Sequence, residues 1–172
     1  MSHAENKVNW CLKKAEKEIE KARKHRGLVK TEINLGEAKK HIAKAEHNLK
    51  AIEYFDKGGF SDWSMNAVFY CIYHCFLAIS TKFGYESRNQ ECTLALIKYL
   101  KEQKKIELDD KFIETLESYN ETERHESSII EKREQYTYGT SVSVSNKQEI
   151  KQNITLCRDC LDQAKSIVFE VR

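Results

Sequence analysis

The chain has 172 residues, no proline, six glycines and a formal net charge of +2 from 29 basic and 27 acidic side chains. That length supports one domain plus an appendage with a substantial core, and the scarcity of helix breakers points to continuous helix. The near balance of charge excludes a uniformly basic, general nucleic-acid-binding surface, although residues 1–30 carry nine bases against four acids and residues 107–134 ten acids against four bases.

Val8, Leu12, Ala15, Ile19 and Ala22 recur at helical spacing and predict a first helix over Glu5 to Lys24. Arg26 to Asn34 loses the pattern and reads as a linker. Leu35, Ala38, Ile42, Ala45, Leu49 and Ile52 then form a narrow apolar stripe on a second helix, ended by Gly58-Gly59. Trp63 to Ile79 is apolar or aromatic except for Ser64, Asn66 and His74, with Ser61-Asp62 as capping oxygens and Gly84 beyond its end. A helix greasy on nearly every face has to be enclosed by others, so this run is the central rod.

Ser87 with Gln90 fits a capping box opening a helix through Cys92, Leu96, Tyr99 and Leu100. Asp109 caps another through Phe112, Leu116 and Tyr119, continuing as a polar helix through Arg124 to Gln135. Tyr136 to Ser145, rich in Ser, Thr and β-branched residues, reads as a loop. Ser145 with Gln148 caps a last helix through Ile150, Ile154, Cys157, Leu161, Ala164, Val168 and Val171. The expected fold is all-α: an up-and-down bundle of about five core helices over residues 34–172, preceded by an N-terminal amphipathic helix and linker over 1–33.

The N-terminus has no signal-peptide pattern, and the Trp63–Ile79 run is short for a membrane span, so the expectation is a cytoplasmic protein without a membrane role. Its six cysteines (Cys11, Cys71, Cys75, Cys92, Cys157 and Cys160) are then expected to be reduced thiols packed as small hydrophobes, with no structural disulfide. Cys71, His74 and Cys75, and Cys157 with Cys160, are ligand types for zinc. They lie in apolar-periodic helices without turns to converge them, so neither a metal nor a cofactor is expected.

Asn66, Tyr70, Tyr73 and His74 are spaced by three or four residues and share one side of the central helix, either as a satisfied buried network or as the lining of a site. Arg133, Glu134, Tyr136 and Tyr138 crowd the end of the polar helix. There the arginine can clamp a phosphate or carboxylate, or form an ordinary surface pair with Glu134.

Taken in order, several segments resemble a HEPN domain over roughly 34–171. They are Ala45-Glu46-His47-Asn48-Leu49-Lys50-Ala51, Gly59-Phe60-Ser61-Asp62-Trp63, Ala67-Val68-Phe69-Tyr70-Cys71-Ile72-Tyr73-His74, Lys82-Phe83-Gly84-Tyr85-Glu86-Ser87, Asn89-Gln90-Glu91-Cys92-Thr93, and Arg133 with Tyr138. The resemblance implies a small nucleotide-binding helical bundle, usually a homodimer with a cleft at its pseudo-twofold. Many members stand beside a minimal nucleotidyltransferase as a toxin–antitoxin pair. Toxic members cut RNA without metal, using an arginine followed four to six residues later by a histidine. Here Thr137, Tyr138 and Gly139 occupy those positions after Arg133, and no other arginine has a histidine at that distance, so the general acid/base is missing.

The resemblance therefore implies a dimeric nucleotide- or RNA-binding module, non-catalytic, with Arg133, Glu134, Tyr138, Asn66, Tyr70, Tyr73 and His74 as binding residues. The alternative is a metal-independent endoribonuclease toxin with a degenerate motif, in which Arg133, Tyr138 and His74 act. A third reading is a structural adaptor that docks a partner through its basic first helix.

Overall fold

A computed structural model describes residues 2–117, 129–144 and 147–170. Its described elements are α1 (His3–Glu20), β1 (Leu28–Lys30), α2 (Leu35–Lys57), α3 (Ser61–Lys82), β2 (Tyr85–Ser87), α4 (Gln90–Glu102), α5 (Asp110–Leu116), α6 (Ile129–Tyr138) and α7 (Lys147–Phe169). The all-α expectation is met. The rod α3 is enclosed as its composition requires: α2, α4, α5, α6 and α7 all pack on it. Met65, Val68, Cys71, Ile72, Cys75, Phe76 and Ile79 on α3 are essentially solvent-free.

Hydroxyls inside this rod are satisfied by backbone carbonyls, one on α2 and one on α3 itself. Ser64 donates to the Ile52 carbonyl at 3.1 Å and Ser80 to the Phe76 carbonyl at 2.8 Å, which removes the cost of burying an unpaired polar group. The α2–α3 hairpin is the largest packing unit, and α7 lies against both of its helices.

Several local expectations are corrected. The linker over Arg26–Asn34 contains β1, which pairs antiparallel with β2 in the register Leu28–Ser87, Val29–Glu86 and Lys30–Tyr85. Gly84 makes the turn into β2 at φ +74°, where a Cβ would also lie 2.8 Å from the Thr31 carbonyl oxygen. Ser61 does not cap α3; its hydroxyl accepts from the Val144 amide at 2.8 Å and pins the segment before α7. Asn89, not Ser87, caps α4, its side chain accepting from the Cys92 amide at 3.0 Å. Helix α6 runs through Tyr136 to Tyr138, residues expected in a loop. Tyr119 and the Ser145 capping box lie outside the described residues.

The largest correction concerns the cysteines. Cys11 of α1 and Cys92 of α4 are joined by a disulfide, against the expectation of six free thiols. Cys71, Cys75, Cys157 and Cys160 are free and buried. They meet between α3 and α7, where hydrogen bonds from Cys157 and Cys75 hold the Cys71 thiol down to about 5 while Cys75 and Cys157 are pushed up. Among the described residues, no three His, Cys, Asp or Glu side chains are placed to share a metal ion. Nor is any described helix long and apolar enough to cross a membrane.

The enclosure of α3 sets a graded mutational response along it. Ile72→Ala, at a site with no solvent exposure, should cost about 2–5 kcal/mol, whereas Tyr70→Ala on the exposed edge should cost about 1 kcal/mol or less. Urea unfolding midpoints of the two variants check the difference; equal losses would contradict the enclosure.

Candidate functional site

The polar residues of α3 fall into two groups because a helix presents them at different angles. Phe69, buried at its core edge, carries the first group. The guanidinium carbon of Arg133 on α6 lies 4.3 Å from the Phe69 ring centroid, in a cation–π contact. Tyr73 stacks on the same ring at 5.7 Å and Tyr70 meets it edge-on at 5.0 Å. One turn earlier, the Asn66 amide donates to the Thr137 hydroxyl at 3.1 Å and ties α6 to α3. Arg133 is thus held by a ring beneath it and by the docking of its own helix, with Glu134 as a long ion-pair partner at 4.0 Å.

Tyr73 continues the network inward. Its hydroxyl lies 3.4 Å from that of Thr93, which donates to the Asn89 carbonyl at 2.9 Å and sits 2.7 Å from the Ser87 hydroxyl. Burial pushes the Tyr73 phenol above its ordinary range, with the Thr93 hydrogen bond opposing, so the phenol is a neutral hydrogen-bonding group.

Arg133 and Glu134 line a cavity of ≈ 850 Å³ between α1, the start of α4 and α6. His3 and Lys7 of α1 and Lys98 of α4 share its wall. Acids temper this positive group: Lys7 pairs with Glu91 at 2.5 Å, and Lys98 pairs with Glu117. Of the other expected residues, Asn66, Tyr70 and Tyr73 reach Arg133 only through Phe69 and Thr137. Tyr138 is 85% exposed at the end of α6 and does not line the cavity.

His74 belongs elsewhere. Its Nδ1 lies 3.0 Å from Nδ1 of His41 on α2, with ring centroids 5.3 Å apart. One ring must donate and the other accept, so the two cannot both be protonated. Burial, then the neighbouring His41 and Lys44, lower the His74 pKa to about 4; burial likewise lowers that of His41, with Glu37 opposing. His41 lines a second cavity of ≈ 620 Å³ beside Glu37, Thr81 and Arg88.

Sequence reasoning missed Phe69 as the platform, since an apolar residue in an apolar run carries no separate signal. It also missed His3, Lys7 and His41, which reach these sites only through tertiary packing.

The imidazole pair has a defined pH consequence. Its folded pKa values lie below the ordinary 6.5 of an unfolded histidine, so the unfolded chain binds more protons as pH falls. Stability from this source is complete above about pH 6.5 and is lost down towards the folded value of about 4. His74→Gln should therefore lose less stability than wild type between pH 7.5 and 5, read from urea midpoints at each pH. Parallel curves would show that the pair does not titrate as described.

The HEPN domain family model matches residues 38–168, from the first turn of α2 to the end of α7. Comparison with characterised proteins and with solved structures finds no match. The matched stretch contains the α3 rod, the Phe69–Arg133 contact and both imidazoles, and it leaves α1 and β1 outside. On this match, which covers most of its length, the chain belongs to the HEPN domain family.

Proposed function

We propose that the chain is a nucleotide- or RNA-binding HEPN module, acting as a homodimer beside a minimal nucleotidyltransferase and without catalysis of its own. The observation that carries this reading is Arg133: a fixed guanidinium, stacked on Phe69, at the edge of a cavity large enough for a nucleotide. Such a group can take a phosphate through charge-assisted, bidentate hydrogen bonds. Lys7 and Lys98 add positive charge, and the acids beside them limit how much anion the site attracts without specific contacts.

One observation favours a second reading. His3 of α1 lines the same cavity as Arg133, so an imidazole and a guanidinium face one space although no histidine follows the arginine in sequence. That pairing supplies a proton-transfer group and a phosphate clamp, the parts that metal-independent RNA cleavage needs. His74, held against His41, and the exposed Tyr138 do not serve this chemistry. Under this reading wild type cuts RNA in the presence of EDTA and His3→Ala does not. Intact tRNA and mRNA after incubation with wild type would leave the binding module alone.

For the binding reading, Arg133→Ala should weaken adenosine monophosphate or short RNA binding by about 1–3 kcal/mol, measured by calorimetry. Lys39→Ala, an exposed charge on α2, should leave it within error. The unfolding midpoint of Arg133→Ala should fall only by what the Phe69 contact contributes, about 1 kcal/mol. Unchanged affinity would remove Arg133 from the site.

Support for the dimer comes from large apolar side chains left exposed at the start of α3 and beyond α6, among them Phe60 (58%), Trp63 (50%) and Val142 (76%). Light scattering should give twice the chain mass at tens of micromolar (on the order of a stable interface's working range). Trp63→Glu should return the protein to monomer, and a wild-type monomer would refute the assembly.

A further inference from the structure

We propose that the Cys11–Cys92 disulfide is a redox latch that holds α1 as a removable wall of the Arg133 cavity. The idea rests on that cavity being the binding site; the latch is argued from how α1 is attached.

Helix α1 lies outside the family domain, yet His3, Ala4 and Lys7 form one side of the cavity. It packs on α4 and β1, largely through small side chains. Its buried side chains are Ala4, Val8, Cys11 and Ala15, three of them small, while Trp10 and Ile19 remain about half exposed. Leu12 is partly buried against the core as well, which makes the apolar anchor a modest one for an 18-residue helix. Two of its polar ties to α4, Lys7 to Glu91 and Ser2 to Glu102, are surface contacts of small net value.

The disulfide is placed where it governs this docking. Cys11 follows Lys7 by one turn, and Cys92 sits among Gln90, Glu91, Leu94 and Ala95, which line the opposite wall. Cys11 also lies where α1 presses on the entry to β1, since a Cβ on Gly27 would come within 2.4 Å of the Cys11 carbonyl oxygen. Once released, α1 stays tethered through β1, whose pairing with β2 does not involve the helix, so it can return.

Both cysteines are fully buried, so a reductant reaches the bond through local fraying of the first turns of α1 while Cys11 still holds the rest of the helix. A dithiol then reduces the bond. Its thiolate attacks one sulfur to give a mixed disulfide, and its second thiol closes on that. Two electrons and two protons pass to Cys11 and Cys92, and the reagent leaves as its own disulfide. The other four cysteines are already thiols and take no part.

The test uses the intact chain, oxidised and after dithiothreitol, with readouts that need no ligand. The denatured oxidised protein should show four reactive thiols, and the reduced protein six. Reduction should raise hydrogen exchange across α1 on the order of tenfold or more, while α3 and α7 stay protected. Phenylglyoxal modification of Arg133 should accelerate in parallel as the wall opens. Cys11→Ser/Cys92→Ser should match the reduced state without reductant, and if that variant fails to fold, the dithiothreitol titration of wild type decides.

Equal α1 exchange or equal Arg133 reactivity in the two redox states would overturn the latch, as would six thiols in protein kept under oxidant. If both readouts respond while adenosine monophosphate binds in neither state, the latch stands and the ligand reading of the cavity fails.

Discussion

The enclosure of α3 is the constraint on which the rest of the molecule depends. A helix with apolar groups around almost its whole circumference leaves only a narrow edge for solvent, so α2, α4, α5, α6 and α7 are each placed by the need to cover part of it. The few polar groups of α3 follow from the same constraint. Ser80, deep in the rod, turns back onto the Phe76 carbonyl, whereas Ser64 reaches the Ile52 carbonyl of α2, and Asn66, Tyr73 and His74, nearer the margins, reach side chains on neighbouring helices. Leu77 and Thr81 on one such margin line the cavity that holds His41.

The Phe69–Arg133 contact shows how a packing requirement becomes a site. Phe69 must be buried, and α6 covers it with a polar helix whose aliphatic anchors are only Ile129 and Ile130. An arginine is a fitting cover, because its flat, weakly hydrated guanidinium can lie on a ring and still keep hydrogen-bonding capacity. A lysine would keep the charge and lose the fixed plane. The conformational entropy of Arg133 is therefore spent during folding, which favours a ligand that meets it afterwards.

Much of this was legible in the sequence, and the misses have physical causes. The three-four spacing of Ala38, Ile42, Ala45 and Ile52, and of Ile150, Cys157, Leu161 and Ala164, predicted α2 and α7 because each buries one stripe. Leu28–Lys30 and Tyr85–Ser87 were invisible as strands: three residues are too few to show alternation, and their pairing spans the whole α2–α3 hairpin. The end of α6 was misjudged because Tyr136, Thr137 and Tyr138 have weak helix propensity, and the Asn66–Thr137 hydrogen bonds supply tertiary support that no local pattern reveals. The disulfide was missed for a related reason. Cys11 and Cys92 occupy apolar helical positions, where a thiol and a half-cystine look the same until the helices are brought together. Arg133 was readable as a cation at a helix end, whereas His3 and Lys7 beside it were not, since they precede it by more than a hundred residues.

The segment Ser87–Thr93 is where these strands of argument meet. Ser87 and Arg88 line the cavity that holds His41, and Asn89, Gln90 and Glu91 line the cavity that holds Arg133. Cys92 carries the covalent tie to α1, and Thr93 binds Tyr73, Ser87 and Asn89 at once. One short junction thus contributes lining to both cavities, fixed to the rod by Thr93 and to the appendage by sulfur. A displacement of this junction on either side has to strain the Thr93 hub, because its hydroxyl has no spare partner to exchange. Buried beneath the junction, the hub thus ties the residues that line each cavity to Tyr73 of the rod.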